Sequence, residues 1–143
     1  MDKILGYFGI GRKAGCLEIG EEDTGIAVRG GKAKVVFLAA DASDNAEKRA
    51  QGFIYGRNVV LLRVPYTKDE ISLATGKGGC SMVTVTDIGL ASSMVSALAD
   101  ADPEKYGEAS QEVTARKNKA DKRKAEAKAH ERNRKIGKRR TAI

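Results

Sequence analysis

The chain contains no tryptophan, one histidine and two cysteines in 143 residues. Cys16 and Cys80 lie far apart without CxxC spacing, and the histidine, His130, is near neither. A structural zinc site needs four ligands, so these residues hold no metal, and both thiols read as ordinary small residues in a reducing compartment. With no histidine in the first hundred residues and no Cys–His pair, the reading is a non-enzyme that takes no cofactor. Long apolar runs are also missing. No stretch of about 18 apolar residues exists to span a membrane, and the start, Met1-Asp2-Lys3, leads only into a short glycine-interrupted apolar segment, unlike a signal peptide's core. After Tyr106 there is no aromatic residue and no Leu. The C-terminal part therefore has neither wedges for lipid headgroups nor a platform for stacking bases. A cytoplasmic protein without membrane contact is expected.

What is abundant is charge, unevenly placed. Residues 1–102 hold 12 Lys/Arg and 13 Asp/Glu, a net of −1, whereas residues 103–143 hold 14 and 6, a net of +8. Residues 114–143 alone reach +10, with 13 basic and 3 acidic groups. This asymmetry is the footprint of a tail that meets a polyanion. Arg116, Lys117, Lys119, Arg123, Arg134, Arg139 and Arg140 are its candidate phosphate contacts. Six such contacts to duplex phosphates would give a log–log salt slope of roughly −5, adding affinity without sequence choice. Between Ala115 and Ala129 helix propensity is good, but the residues offer no apolar seam. That stretch is expected to be disordered alone and helical when docked.

Residues 1–102 alternate helical and strand signals. Ile4, Leu5, Phe8 and Gly11 share one face of a helix ending near Gly15. Glu21-Glu22-Asp23 place acids in the first turn of a second helix, stopped by Gly30-Gly31. Val35 through Ala40 and Val59 through Val64 read as strands buried on both faces, separated by a helix that Ser43 or Asp44 caps. Thr67 or Asp69 opens a short helix that Gly76 ends. Met82 to Thr86 forms a further strand. Asp87 then caps a helix whose stripe is Leu90, Met94, Val95 and Leu98. The expected fold is α/β, a three-layer α/β/α sandwich on a mixed sheet of about four strands, with a basic C-terminal extension after residue 102.

Four motifs, in order, carry a resemblance: Gly9-Ile10-Gly11-Arg12-Lys13-Ala14-Gly15; Gly20-Glu21-Glu22 with Lys32-Ala33-Lys34-Val35-Val36; Leu38-Ala39-Ala40-Asp41-Ala42-Ser43; and Leu73-Ala74-Thr75-Gly76-Lys77 followed by Val85-Thr86-Asp87. Over about 90 residues the chain resembles the ribosomal L-seven-Ae/L-thirty-e superfamily of kink-turn RNA-binding proteins, in its bacterial YlxQ-like branch. The resemblance implies an α/β/α sandwich that binds structured RNA, with kink-turns and ribosomal RNA as the kinds of target and ribosomal proteins as possible neighbours. It places the contact surface on residues 20–26, including Gly20, Glu21, Glu22, Asp23 and Ile26, and on the loop of residues 76–81, including Lys77, Gly78, Gly79 and Cys80. A helix start offers unsatisfied N–H groups, and glycines permit close approach. Archaeal members carry Asn-Glu and then Lys on this helix. Here Glu22-Asp23 and Ile26 stand at those positions: ionised Glu22 donates no hydrogen bond, and Ile26 brings no charge.

Arg12 and Lys13, with Lys32, Lys34 and Lys77, are expected to make a basic rim on one side of the domain. Other readings are weaker. Gly9-Ile10-Gly11-Arg12-Lys13-Ala14 matches a GxGxxA dinucleotide fingerprint literally, but only eight residues precede it and Gly15 follows at once, so packing glycines fit better. Gly76-Lys77-Gly78-Gly79 fails as a Walker loop, since Ile71 and Gly78 occupy its Gly and Ser/Thr positions. Asp41 and Asp87 read as turn and capping residues rather than a catalytic pair. A protein-interaction module, its acidic residues 21–23 and basic tail meeting protein partners, is the alternative to RNA binding.

Overall fold

Four helices in this chain start where a short polar side chain meets a free backbone amide. Ile4 N donates to Asp2 Oδ1 (2.8 Å), Ala46 N to Ser43 Oγ (3.1 Å) and Leu90 N to Asp87 Oδ2 (2.8 Å). Thr67 and Glu70 form a reciprocal capping box. These caps set α1 (Lys3–Lys13), α3 (Asp44–Ile54), α4 (Lys68–Thr75) and α5 (Ile88–Ala101) in the computed structural model, which describes residues 2–141 and side chains through residue 132. The remaining elements are α2 (Glu21–Arg29), α6 (Pro103–Thr141) and the strands β1 (Leu17–Ile19), β2 (Val35–Leu38), β3 (Val60–Arg63) and β4 (Met82–Val85).

The strands form one mixed sheet in the order β1-β4-β2-β3. β4 runs antiparallel to both β1 and β2, with Leu17 opposite Val85 and Leu38 opposite Met82, while β2 and β3 are parallel, with Val35 opposite Val60. The central β2 and β4 are buried along their whole length, which is why both read as nearly unbroken apolar runs. Helices α2 and α3 pack together on one face. α1 and α5 cover the other, with α4 against α1. This is the expected α/β/α sandwich. Its core includes Phe8 edge-on to Phe37, ring centroids 5.7 Å apart, with Val28, Val36, Met94 and Leu98. Each such side chain contributes about 1.5–3 kcal/mol on burial.

Gly9 and Gly11 are packing positions. A Cβ on Gly9 would stand 2.9 Å from the Ala74 carbonyl oxygen of α4, and one on Gly11 2.7 Å from Leu90 Cδ2. The literal GxGxxA match thus reflects helices in close approach.

The basic segment is where structure and expectation part. Instead of a tail without partners, residues 103–141 form one helix, and its first turns belong to the core. Asp102 ends α5, Pro103 occupies the first helical position, and α6 folds back along α5. Tyr106 and Val113 are buried, two turns apart on one face, with Ala109 packed between them. The Tyr106 hydroxyl donates to the Arg63 carbonyl at 2.7 Å. Farther along, Arg116 Nη1 donates to the Asn58 carbonyl at 2.8 Å, and its other nitrogen meets Asn58 Oδ1 and Glu112. Charge density around these two apolar residues hid the docking face.

Candidate nucleic-acid interface

The antiparallel register of β1 and β4 brings the two expected contact elements together. β1 finishes where β4 begins, so Gly20 N donates to Met82 O (2.9 Å), directly after the loop of residues 76–81. Next along the same end of the sheet, Ala39 N donates to Ser81 O (3.0 Å) and Ala40 N to Tyr66 O (2.7 Å). Lys68 N, in the first turn of α4, donates to Asp41 Oδ1 (2.9 Å). Asp41 is thereby a turn-binding carboxylate, and Asp87 caps α5 at the other end. The Arg63 guanidinium donates to the carbonyls of Ala39 (3.0 Å) and Ala42 (3.0 Å) and lies 3.5 Å from Glu47, closing this rim from beneath.

On this rim α2 starts without a side-chain cap. Gly20, at φ 102° and ψ 165°, occupies a region open essentially to glycine alone, and no side chain accepts from the amides of the first turn. They remain available to an incoming acceptor. Glu22 is exposed, Glu21 and Asp23 are half-buried, and Ile26 is 56% exposed. Glu21 pairs with Arg49 of α3 at 2.9 Å, both partly exposed. That pair is worth little energetically, but it offsets one charge of the acidic triplet. The buried face of α2 is tied down by Thr24 (fully buried), with Ala27 and Val28 in the core.

The facing loop is held from inside. Thr75 Oγ1 donates to the Ile71 carbonyl (3.0 Å) and accepts from Lys77 N (3.3 Å), and Cys80 Sγ donates to the Lys77 carbonyl (3.1 Å). Cys80 is 0% exposed, so its thiol anchors the loop instead of presenting a contact to a ligand. Gly76 and Gly79 take left-handed φ values of 76° and 79°. Lys77, Gly78 and Gly79 are left exposed, Lys77 without an ion-pair partner among the described residues, beside Leu73, which is 85% exposed.

Lys77 stands apart from the rest of the expected basic rim. Arg12 and Lys13 are exposed at the end of α1, before β1 begins, where Cys16 N donates to Gly11 O (2.9 Å) and Thr86 N to Cys16 O (2.9 Å). Lys34 N donates to Val85 O (2.9 Å) at this same end. Three residues of β1, about 10 Å of strand, separate Arg12 and Lys13 from Gly20. The intervening strand carries the chain from one end of the sheet to the other.

Of the basic candidates on α6, Arg116 is engaged with Asn58 and Glu112, and Lys117 pairs with Asp121 at 2.7 Å. Lys119 and Arg123 are exposed and make no ion pair among the described residues. The side chains of Arg134, Arg139 and Arg140 lie outside the described residues. Two cations that sequence reasoning missed are Arg49, beside Glu21, and Arg57, whose guanidinium donates to the Val28 carbonyl at 3.1 Å. Neither stands in a motif.

No family model matches the chain. Over 49 residues it is 43% identical to RNA-binding protein YlxQ of Enterococcus faecium; this stretch covers 34% of the chain and spans about half (48%) of that relative. Over this stretch the resemblance to the YlxQ-like branch is borne out by a curated relative. Among solved structures, a protein of unknown function from Bacillus halodurans C superposes with a TM-score of 0.63 at 24% identity, covering 68% of this chain and 97% of that one. That likeness concerns the fold.

Proposed function

We propose that this protein binds structured RNA without catalysing a reaction, and that its specific surface is the sheet end where α2 begins and residues 76–81 form a loop. The observation that carries this reading is their juxtaposition: an uncapped helix start beside an exposed glycine loop whose Lys77 has no ion-pair partner among the described residues. The similarity to a protein named for RNA binding supports it. In this reading the amides after Gly20 meet phosphate or base edges. Asp23 accepts from a guanine amino edge, Lys77 neutralises a phosphate, and Ile26 and Leu73 contribute apolar contact. Glu22 stands where it cannot donate while ionised. The natural target is ribosomal RNA or another folded RNA in the cytoplasm, and a kink-turn hairpin is the first motif to test. The cations of α6 add attraction that is independent of sequence.

The test is fluorescence anisotropy of the full chain against a labelled kink-turn hairpin and an unstructured RNA of equal length. Preference for the hairpin, lost in Asp23→Ala and Lys77→Ala, is expected. Failure to bind either RNA at low ionic strength sinks the reading.

A further inference from the structure

We propose a second RNA-binding site, a cleft for the phosphodiester backbone, at the opposite end of the sheet from α2's start; this rests on the RNA-binding reading above. The turn between α2 and β2, the start of β3 and the middle of α6 enclose a cleft of about 560 Å³. Five cations line it, Lys34, Arg57, Arg116, Lys119 and Arg123; no carboxylate is among the lining residues, and Arg116 also bonds Glu112 beside the cleft.

Three features make this a built site. First, it draws on four separated parts of the chain, Ile88 at the start of α5 among them, and the docking of α6 through Tyr106, Val113 and Arg116 closes it. Second, its two inner guanidiniums are held by backbone carbonyls: Arg57 by Val28 and Arg116 by Asn58. Fixed donors lose little freedom when a ligand arrives. Third, Lys34, Lys119 and Arg123 have no acidic partner among the described residues, so mutual repulsion remains until a polyanion relieves it.

Shape and chemistry select a strand's backbone. Arg116, Lys119 and Arg123 follow one face of α6 over about 10 Å of helix. That length suits successive phosphates better than a single small anion. The floor is aliphatic, from Val28, Val59 and Ile88, and no aromatic ring lines the cleft to stack a base. Binding here is thus insensitive to sequence, while the distant α2 end does the choosing.

The experiment measures affinity of the full chain for the labelled hairpin as a function of KCl, using wild type, a cleft triple variant (Lys34→Ala, Lys119→Ala, Arg123→Ala) and an equal-charge α6 control (Lys122→Ala, Lys124→Ala, Lys128→Ala). Circular dichroism melts confirm that each folds; the three cleft side chains replaced are exposed or half-buried and unpaired. The cleft variant is expected to flatten the log–log salt slope by about 2–3 and to weaken binding roughly a hundredfold at 0.1 M salt. The control should change the slope by less than half as much. An equal fall in the two variants overturns the cleft and assigns the effect to charge spread along α6. Wild-type binding with an unchanged slope in the cleft variant overturns it while leaving the RNA-binding reading intact; no wild-type binding overturns both. Binding of a poly-glutamate peptide abolished by the cleft substitutions, with RNA binding untouched, assigns the cleft to an acidic protein partner and likewise overturns the proposal.

Discussion

Thr84 Oγ1 on β4 donates to Thr24 Oγ1 on α2 across 2.8 Å, and neither side chain has any exposed surface. This single polar link between sheet and helix sits one turn inside α2, so it sets how the uncapped start of the helix stands against the loop that precedes β4. Thr84→Val strands the Thr24 hydroxyl in the core and should cost about 1–3 kcal/mol. The double variant Thr24→Val, Thr84→Val removes both polar groups and should cost less than the sum of the single ones. Urea unfolding of the four proteins measures the coupling.

Close approach of α1 to α4 leaves no room for a methyl group at Gly9. Gly9→Ala should destabilise by about 1–3 kcal/mol, the range for overpacking. Gly78→Ala, where nothing stands within 4 Å and φ is not left-handed, should stay within about 0.5 kcal/mol. Thermal melts separate the two, and similar shifts at both positions would contradict the packing role.

Truncation tests how far α6 is core. Ending the chain after Asp102 removes Tyr106 and Val113, which at about 1.5–3 kcal/mol per large buried side chain leaves the face of α5 exposed and the domain marginal. A broad or lost thermal transition is expected. Ending it after Arg132 should leave the melting temperature where it was. A cooperative, unshifted melt for the shorter chain would show that the first turns of α6 are dispensable.

Two groups near the chain's start give opposite pH limbs. The neighbouring Tyr66 hydroxyl and the Ile4 amide lower the Asp2 carboxyl below its usual range. A depressed carboxyl adds stability at neutral pH that disappears as pH falls through the carboxylate range. Burial, with Asp2 beside it, pushes the Tyr66 hydroxyl well up. Its contribution is therefore full below pH about 10 and declines above that, as the unfolded chain ionises first. Asp2→Asn should flatten the acid limb and Tyr66→Phe the alkaline one in denaturant titrations across pH.

Much of the sandwich is legible because the starts of α3, α4 and α5 carry a local chemical mark. Ser43, Thr67 and Asp87 accept from backbone amides where capping logic puts them, and Gly76 ends α4 in the left-handed region. β1 has no such mark. Leu17-Glu18-Ile19 is too short to show a period, and it becomes a strand only because β4 supplies its partner. The same short strand puts Arg12 and Lys13 at the other end of the sheet from Gly20. Cys80 looked like a loop residue by position, but the loop curls inward at Thr75 and buries it. Arg57 gains its meaning only from α6, whose facing side chains Arg116 to Arg123 lie far along the sequence.

The 39 residues of α6 extend about 58 Å, and the buried contacts at Tyr106 and Val113 grip only the first third. Such geometry makes a lever arm. A tilt of about 10° at Val113 would swing the far terminus by about 7 Å, given some 42 Å of helix beyond it. Small changes in how α5 seats this helix are thereby magnified into larger displacements of its far end.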